Sequence, residues 1–437
     1  MRETIGVIGL GYIGLPLAMC LCERGFRVVG IDVDEDKVAR IQAGQTDVQE
    51  DYLGQTLAQR LQRHIAEGNF IASNRPAVAA WECTTYFVTV GIPVDPATKS
   101  LNQQPLLDAM SSLGRVIKPH DLVVIRSTVV PGTVESHCVP LLEEMSRMVA
   151  GVDFHVAYAA ERVAEGRAME EFQTLDIVAG GLTVKCAALA AQALQKLTDG
   201  QVHLTDMRIA QLSKVIENAQ RDVNLALVYE LQEVAKSHRV NLYELIQMVN
   251  THPRVNLLSP SVGVGGYCIP NAYHYLSASL QTEEKDLPLF RLARQTNDRV
   301  PQRIAQGVAQ SLCESGRQMS TATVAVFGLG MKDGSNDIRQ SPAIRCVEEL
   351  RGLGAMVRAY DPFVSPAEPY QVATAEECVR DADAIVVGAW HSAFDELDWG
   401  ELFRLVNQVA PVILVDPRGR LEARVLHLNP APVLQRA

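Results

Sequence analysis

The segment that most constrains this chain lies close to its first residue. A β-branched run, Thr4–Ile8, leads into Gly9-Leu10-Gly11-Tyr12-Ile13-Gly14. An apolar stretch of helical character follows, and after Gly25 comes a second apolar run that reaches Asp32. Strand, glycine turn, helix and strand in that order make a βαβ unit, which commits the region to a parallel sheet covered by helices. Gly9 permits a tight turn, Gly11 lets backbone approach a pyrophosphate, and Gly14 lets helix pack on strand. The helix N-terminus then faces the phosphates with its partial positive charge. Asp32 would accept hydrogen bonds from ribose hydroxyls and repel a 2′-phosphate, so the expected cofactor is NAD rather than NADP.

Further strands are expected at Tyr86–Val90, Leu122–Ile125 and Phe154–Tyr158. From Thr205 the pattern turns helical, with Thr205 or Asp206 as N-cap and with Ile209, Leu212, Ile216, Val223, Leu227 and Leu231 at helical spacing. More helix is expected at Leu242–Val249 and around Pro288–Ala305. The opening theme returns at Thr321, with a strand, Gly328-Leu329-Gly330, a helix from Ser341 and further strands. The expected fold is α/β: two Rossmann-like domains (1–204 and 311–437) joined by a long central helix and a helical connector and dimerisation domain (205–310). The tail after about Arg424 is expected to be loosely ordered. The second turn lacks a third glycine, so a second NAD is not expected there. Lys332 and Arg339 beside it would suit the phosphates of another nucleotide, or are merely exposed charges.

Composition narrows the function classes. At 437 residues the chain is long enough for about three structural units. The net charge of −11 argues against a nucleic-acid or anionic-membrane surface. The first residues lack the layout of a signal peptide, and apolar runs stay below the roughly 18 residues of a membrane span. Nine cysteines without a CxxC suit a reducing compartment, and the expected location is the cytoplasm. The ten histidines are dispersed, so no metal site is expected.

Two stretches carry reactive groups. Lys214 and Asn218 stand one helical turn apart, and Arg221 and Asp222 extend the polar stripe. A solvated face explains many such stripes, but a Lys among partly buried polar groups could accept a proton or stabilise an oxyanion. In Ser261-Val262-Gly263-Val264-Gly265-Gly266-Tyr267-Cys268, the glycines let backbone crowd a ligand and present the thiol in a loop. The other eight cysteines read as small core hydrophobes. A thiol beside a nicotinamide suggests aldehyde oxidation through a thiohemiacetal and a thioester. Arg254, in His252-Pro253-Arg254-Val255-Asn256, could reach an anionic or polyhydroxyl substrate.

On these residues the chain resembles the UDP-glucose/GDP-mannose dehydrogenase family, nearest in pattern to bacterial 6-dehydrogenases of UDP-N-acetylhexosamines. The motifs, in order, are VIGLGYIGLP, RSTVVPGT, AERVAEGRAMEEF, LSKVIENAQRDVN, NTHPRVN, GVGGYCIP and GLGMKDGSNDIRQSPA. The resemblance implies an N-terminal NAD domain, a C-terminal domain for the UDP part, and a central helix supporting a homodimer. It implies Cys268 as nucleophile, Lys214 and Asn218 as stabilisers of the reacting oxygen, and Thr128 and Glu161 near the nicotinamide and the hydrolytic water. It places Gly9, Gly11, Tyr12, Ile13, Gly14, Asp32, Lys37, Thr128, Glu165 and Arg339 on the cofactor side. Glu161, Arg162, Val163, Lys214, Asn218, Arg254, Gly265 and Lys332 fall on the substrate side, with Arg254 reaching the neighbouring subunit's site in some members. The implied activity is two successive oxidations of C6 to the uronate.

Several positions depart from the family pattern. Ala272 stands where an Asp is usual, four residues after the nucleophile, and Asn271 beside it cannot act as a base. Arg126 replaces a frequent Glu, Tyr267 a frequent His, and Ala159-Ala160-Glu161 a common SPE. General-base assistance is typically worth about 10²–10⁴ in rate, so partial or transient oxidation is a second expectation. A non-catalytic nucleotide-sugar-binding homologue is a third.

Overall fold

A computed structural model describes residues 3–80, 82–95, 98–282, 286–428 and 431–435. The chain forms two compact units, one of residues 1–217 with 274–285 and one of residues 218–273 with 286–437.

In the first unit the strands are β1 (Thr4–Ile8), β2 (Arg27–Ile31), the short hairpin β3 (Asp51–Tyr52) and β4 (Gln55–Thr56), β5 (Phe70–Ser73), β6 (Thr85–Val88), β7 (Leu122–Ile125), β8 (His155–Tyr158), β9 (Ile177–Gly181) and β10 (Val202–Asp206). Apart from the hairpin they form one sheet in the order β10-β9-β8-β7-β6-β1-β2-β5. Strands β1, β6, β7 and β8 are buried at every position, as strands covered on both faces must be. The helix Gly14–Glu23 buries nine of its ten residues and is apolar on every side accordingly. One departure from a purely parallel sheet is that β9 runs antiparallel to β8.

The second unit carries β11 (Thr323–Phe327), β12 (Met356–Tyr360), β13 (Ala384–Val387), β14 (Ile413–Val415) and β15 (Val433–Leu434), all parallel, in the order β12-β11-β13-β14-β15. Ser341 caps the helix Pro342–Gly352 by accepting from the amides of Ala343 and Ile344, with Pro342 in the first turn. The tail expected to be loose instead contributes β15, since Gln435 donates its amide to the Leu414 carbonyl at 2.9 Å.

The long helix runs Met207–His238, and Asp206 caps it, its Oδ1 accepting from the Arg208 amide at 2.8 Å. Its apolar periodicity does not mark the inward face. Ile209, Ile216 and Leu227 are 56%, 49% and 48% exposed, while Ala210, Val215, Ala219, Val228 and Tyr229 are buried. The buried face thus combines Ala with Val and Tyr, while part of the Ile/Leu series lies on the outward face.

The expected polar stripe also breaks. Arg221 is exposed, but Asp222 is buried and ion-paired at 2.6 Å with the buried Arg294 of helix Pro288–Asp298. Asn297 donates to the same carboxylate at 2.7 Å. Among the described residues no helix is long and apolar enough to cross a membrane.

Candidate active site

In the first unit the glycine turn performs the three tasks its sequence implies. Gly9 has φ +92°, Gly11 has nothing within 4 Å of where a Cβ would stand, and a Cβ at Gly14 would lie 1.8 Å from the Gly9 carbonyl oxygen. Thr89, just after β6, donates its hydroxyl to that carbonyl at 2.7 Å. In the sheet order β1 is flanked by β2 and β6, so the chain leaves β1 in one direction and returns on the other side. That is the switch point at which doubly wound sheets bind ligands. Tyr12 and Ile13 are half-buried on the turn.

Asp32 lies 8% exposed, and its carboxylate looks inward more than the ribose assignment supposed. Oδ2 accepts from the Leu10 amide at 2.8 Å, and Lys37 pairs with it at 3.1 Å. Asp32 therefore ties down the glycine turn, and Lys37 neutralises it. Its Oδ1 also accepts from the Asp34 amide at 3.1 Å and from Lys37 at 3.3 Å, so a ribose hydroxyl would take the place of Lys37 on this carboxylate. The open space at Gly11, the helix start at Gly14 and this anion fit an NAD molecule.

Thr128 and Glu161 follow β7 and β8, at the same carboxyl edge of the sheet. The half-buried Thr128 side chain has no hydrogen bond among the described residues. Glu161 is buried and fully engaged. Its Oε1 accepts from the amides of Arg162 at 2.6 Å and Val163 at 2.7 Å, and its Oε2 accepts from buried Arg126. Arg162 is paired at 2.8 Å with Glu217, and Glu165 is half-buried on the same loop. Lys214 is half-buried in the long helix and its ammonium has no partner among the described residues.

The second unit holds the other groups. One turn beyond Lys214 on the helix, Asn218 is 4% exposed and likewise unengaged among the described residues. Val262 and Val264 alternate with Gly263 and Gly265, and the alternation explains the loop. The valines enter a core with Leu329 and Ala343, while the glycines press on the segment after β11. A Cβ at Gly265 would lie 2.5 Å from Pro342 Cδ and 2.8 Å from the Gln340 carbonyl oxygen. A Cβ at Gly266, φ +77°, would lie 2.4 Å from Met331 Sδ. The glycines thus admit the protein's own chain, where the sequence suggested a ligand.

Cys268 is not in a loop: it is the first residue of helix Cys268–Ser279, and it is exposed. Of the nine cysteines only Cys313 is exposed besides it, so seven and not eight are core residues. Tyr267 lies under the Arg339 guanidinium, 5.0 Å from ring centroid to Cζ, and Asp337 grips Arg339 with Nε–Oδ1 at 2.8 Å. Both of these contacts lie within the second unit. Lys332 lies half-buried on the same segment, and Arg254 is exposed with no side-chain partner among the described residues.

The second glycine turn differs from the first in one decisive respect. A Cβ at Gly330 would lie 2.2 Å from the Ser335 carbonyl oxygen, so the 331–337 segment fills the space that stays open at Gly11. Asp361, the counterpart of Asp32, accepts from the Leu329 amide at 2.6 Å and pairs with the fully buried His391 at 2.9 Å. Neither this pair nor the Arg418–Asp333 ion pair was legible beforehand, because partners so far apart in sequence carry no local signal. Ala272 and Asn271 are both buried. Among the described residues no group of three or more His, Cys, Asp or Glu could hold a metal ion.

Family models match in the same order as these features. The NAD binding domain of the UDP-glucose/GDP-mannose dehydrogenase family matches residues 3–198, the central domain 208–299 and the UDP binding domain 325–423. The chain belongs to the UDP-glucose/GDP-mannose dehydrogenase family. Its similarity to known members of that family is end to end. It is 35% identical to the UDP-N-acetyl-D-mannosamine dehydrogenase of Pyrococcus horikoshii, over 95% of each chain. It is 31% identical to the NDP-N-acetyl-D-galactosaminuronic acid dehydrogenase of Ralstonia nicotianae, over 97% of each. A solved structure of UDP-D-ManNAc dehydrogenase from Pyrococcus horikoshii superposes with a TM-score of 0.85 at 33% identity, covering 94% of this chain and 95% of that one. NAD is the cofactor of this family's N-terminal domain.

Proposed function

We propose that this member of the family oxidises the C6 hydroxyl of a UDP-N-acetylhexosamine to the carboxylate, with Cys268 as nucleophile. The observation that carries the proposal is the exposed Cys268 at a helix start, directly after a glycine loop buttressed by the segment that bears Lys332 and Arg339. The names of the relatives support the substrate class. We assign the cofactor to residues 1–204, dimerisation to 205–310 and the nucleotide to 311–437.

The alcohol first loses a hydride and a proton and becomes an aldehyde. The Cys268 sulfur adds to the aldehyde carbon, and the resulting thiohemiacetal loses a second hydride and proton to become a thioester. Water then displaces sulfur, which releases the carboxylate and restores the thiol. NAD, when bound, would supply the hydride acceptor, and two NAD molecules in turn would each take one hydride. Lys214 and Asn218, both with open hydrogen-bonding capacity, stabilise the reacting oxygen, and Thr128 lies on the nicotinamide side. Lys332 and Arg254 hold the nucleotide sugar, Arg254 from the neighbouring subunit. All nine cysteines are free thiols, which suits a reducing cytoplasm.

The test is NADH formed per sugar consumed, with mass spectrometry of the product, using UDP-N-acetylmannosamine and UDP-N-acetylgalactosamine. About two NADH and a uronate are expected from the two successive hydride losses. Binding of NAD and UDP-sugar without any NADH would sink the proposal. Ala272 favours a second reading, in which oxidation stops at the aldehyde with about one NADH per sugar, because general-base help is absent at that position.

The homodimer is supported by the exposed Ile209, Leu212, Ile216 and Leu227, which share one face of the long helix. Such a stripe is buried efficiently by its copy across a two-fold axis. Ile216→Glu is expected to shift the protein from dimer to monomer in light scattering, and an unchanged mass would exclude this face.

A further inference from the structure

We propose that Arg126 is a positioning residue that holds Glu161 as a fixed anion, so that Glu161 shapes the substrate loop 161–163 instead of accepting a proton from water. The inference rests on the reaction just proposed and gives Glu161 a different part in it.

The geometry begins in the sheet. Strands β7 and β8 are neighbours, with Ile125 opposite Tyr158, so Arg126 and Glu161 leave the same edge side by side. The Glu161 amide donates to the Arg126 carbonyl at 3.2 Å. The side chains then meet with Arg126 2% and Glu161 8% exposed. The guanidinium lies 5.9 Å from the Phe87 ring and 5.6 Å from the Phe172 ring, a box of aromatic faces that keeps it from swinging to solvent.

Both carboxylate oxygens of Glu161 are in use. One takes Arg126, and the other takes the amides of Arg162 and Val163. Charge-assisted bonds of this kind are the strong ones. With one oxygen held by the guanidinium and the other by two amides, neither oxygen is left without a partner to face a water molecule. The carboxylate is well suited to fixing a loop. Arg162 is tied on its far side to Glu217 at 2.8 Å and to the Asp176 carbonyl at 3.1 Å, and Val163 packs on the core of the unit. Arg126 stands where the family often carries a Glu, and a Glu there could not hold Glu161 in this way.

The experiment compares Arg126→Met, Arg126→Lys and Glu161→Gln in the full chain with NAD and UDP-N-acetylmannosamine. Loss of uniform binding predicts a KM for the sugar at least about 10-fold higher in Arg126→Met and Glu161→Gln, with kcat lowered by less than about 3-fold and the pH profile unmoved. Arg126→Lys, which keeps the charge, restores part of the KM. The double variant is no worse than either single one, as expected for one coupled pair. Hydrogen exchange at the amides of 162 and 163 is expected to be at least about 10-fold faster in Arg126→Met.

A fall in kcat of about 10²-fold or more in Glu161→Gln, with acylated Cys268 accumulating in intact-protein mass spectra, would identify Glu161 as the base and overturn the proposal. Unchanged amide exchange in both Arg126 variants would overturn it too. Exchange is read without turnover, so it decides the role of Arg126 even if wild-type protein forms no uronate and the proposed reaction fails. If Arg126→Met does not fold, Arg126→Lys and Glu161→Gln carry the same comparison.

Discussion

Replacing Cys268 by serine is expected to abolish uronate formation while leaving the first oxidation largely in place. The first hydride leaves a carbon that is not bonded to sulfur, so an aldehyde and one NADH remain accessible. The second oxidation needs a tetrahedral adduct, and a serine hydroxyl is a far weaker nucleophile than a thiolate at neutral pH. Loss of a nucleophile commonly costs about 10⁴-fold or more in kcat, and that size of fall is expected for uronate. The measurement is product mass and NADH stoichiometry for wild type and Cys268→Ser on the same sugar. Uronate at wild-type rate from the variant would remove Cys268 from the chemistry. Cys313 is the natural control: it is exposed as well, but it sits near the end of helix Val300–Glu314, and Cys313→Ser should leave the rate unchanged.

Breaking the Asp222–Arg294 pair is expected to have the largest effect on stability. Asp222 is 2% and Arg294 5% exposed, and Arg294 also reaches Asp298 at 3.2 Å. Removing one partner of a buried pair leaves the other charge uncompensated, which typically costs about 3–5 kcal/mol. Asp222→Ala should therefore lower the unfolding free energy by about that much in denaturant titration, and an Asp222→Ala/Arg294→Met double variant should recover part of it. A loss below about 1 kcal/mol would show the pair to be dispensable.

The same carboxylate predicts a pH dependence. Burial outweighs the neighbouring Arg294 and Asn297 and pushes Asp222 up to about 6. The free side chain titrates near about 3.9, so between the two values the folded chain binds more protons than the unfolded one. Stability from this group therefore falls as pH rises from about 4 to about 6 and is level above that. Asp222→Asn should flatten that slope in melting curves taken across the interval.

Much of this was legible in the residues. The first glycine turn combined three local demands in six residues, a positive φ, an open approach and a helix packed against the turn, and each falls where its glycine stands. Strand β7 lies at the expected bounds, and the N-cap choice between Thr205 and Asp206 resolves to Asp206. The loop before Cys268 was harder. Its Val-Gly-Val-Gly alternation was visible, but whether the glycine side faced a ligand or Pro342 and Met331 depended on chain some 70 residues away. The helix that begins at Cys268 was missed because the glycine-rich stretch before it shows no helical periodicity. Arg126 was noticed as a departure from the family and Glu161 as a site residue, yet their pairing was not legible, since the two meet only through strand pairing.

The sequence by itself determined the α/β class, the cofactor turn and the long helix. Each of these rests on demands made within one element, where a residue's own backbone preference and its near neighbours set the outcome. The tertiary structure alone decided which helix face turns outward, which charges are buried as pairs, and whether a carboxylate such as Glu161 is open or engaged. Those properties belong to residues brought together from separate elements, and burial strengthens or cancels a charge only once its partner is in place.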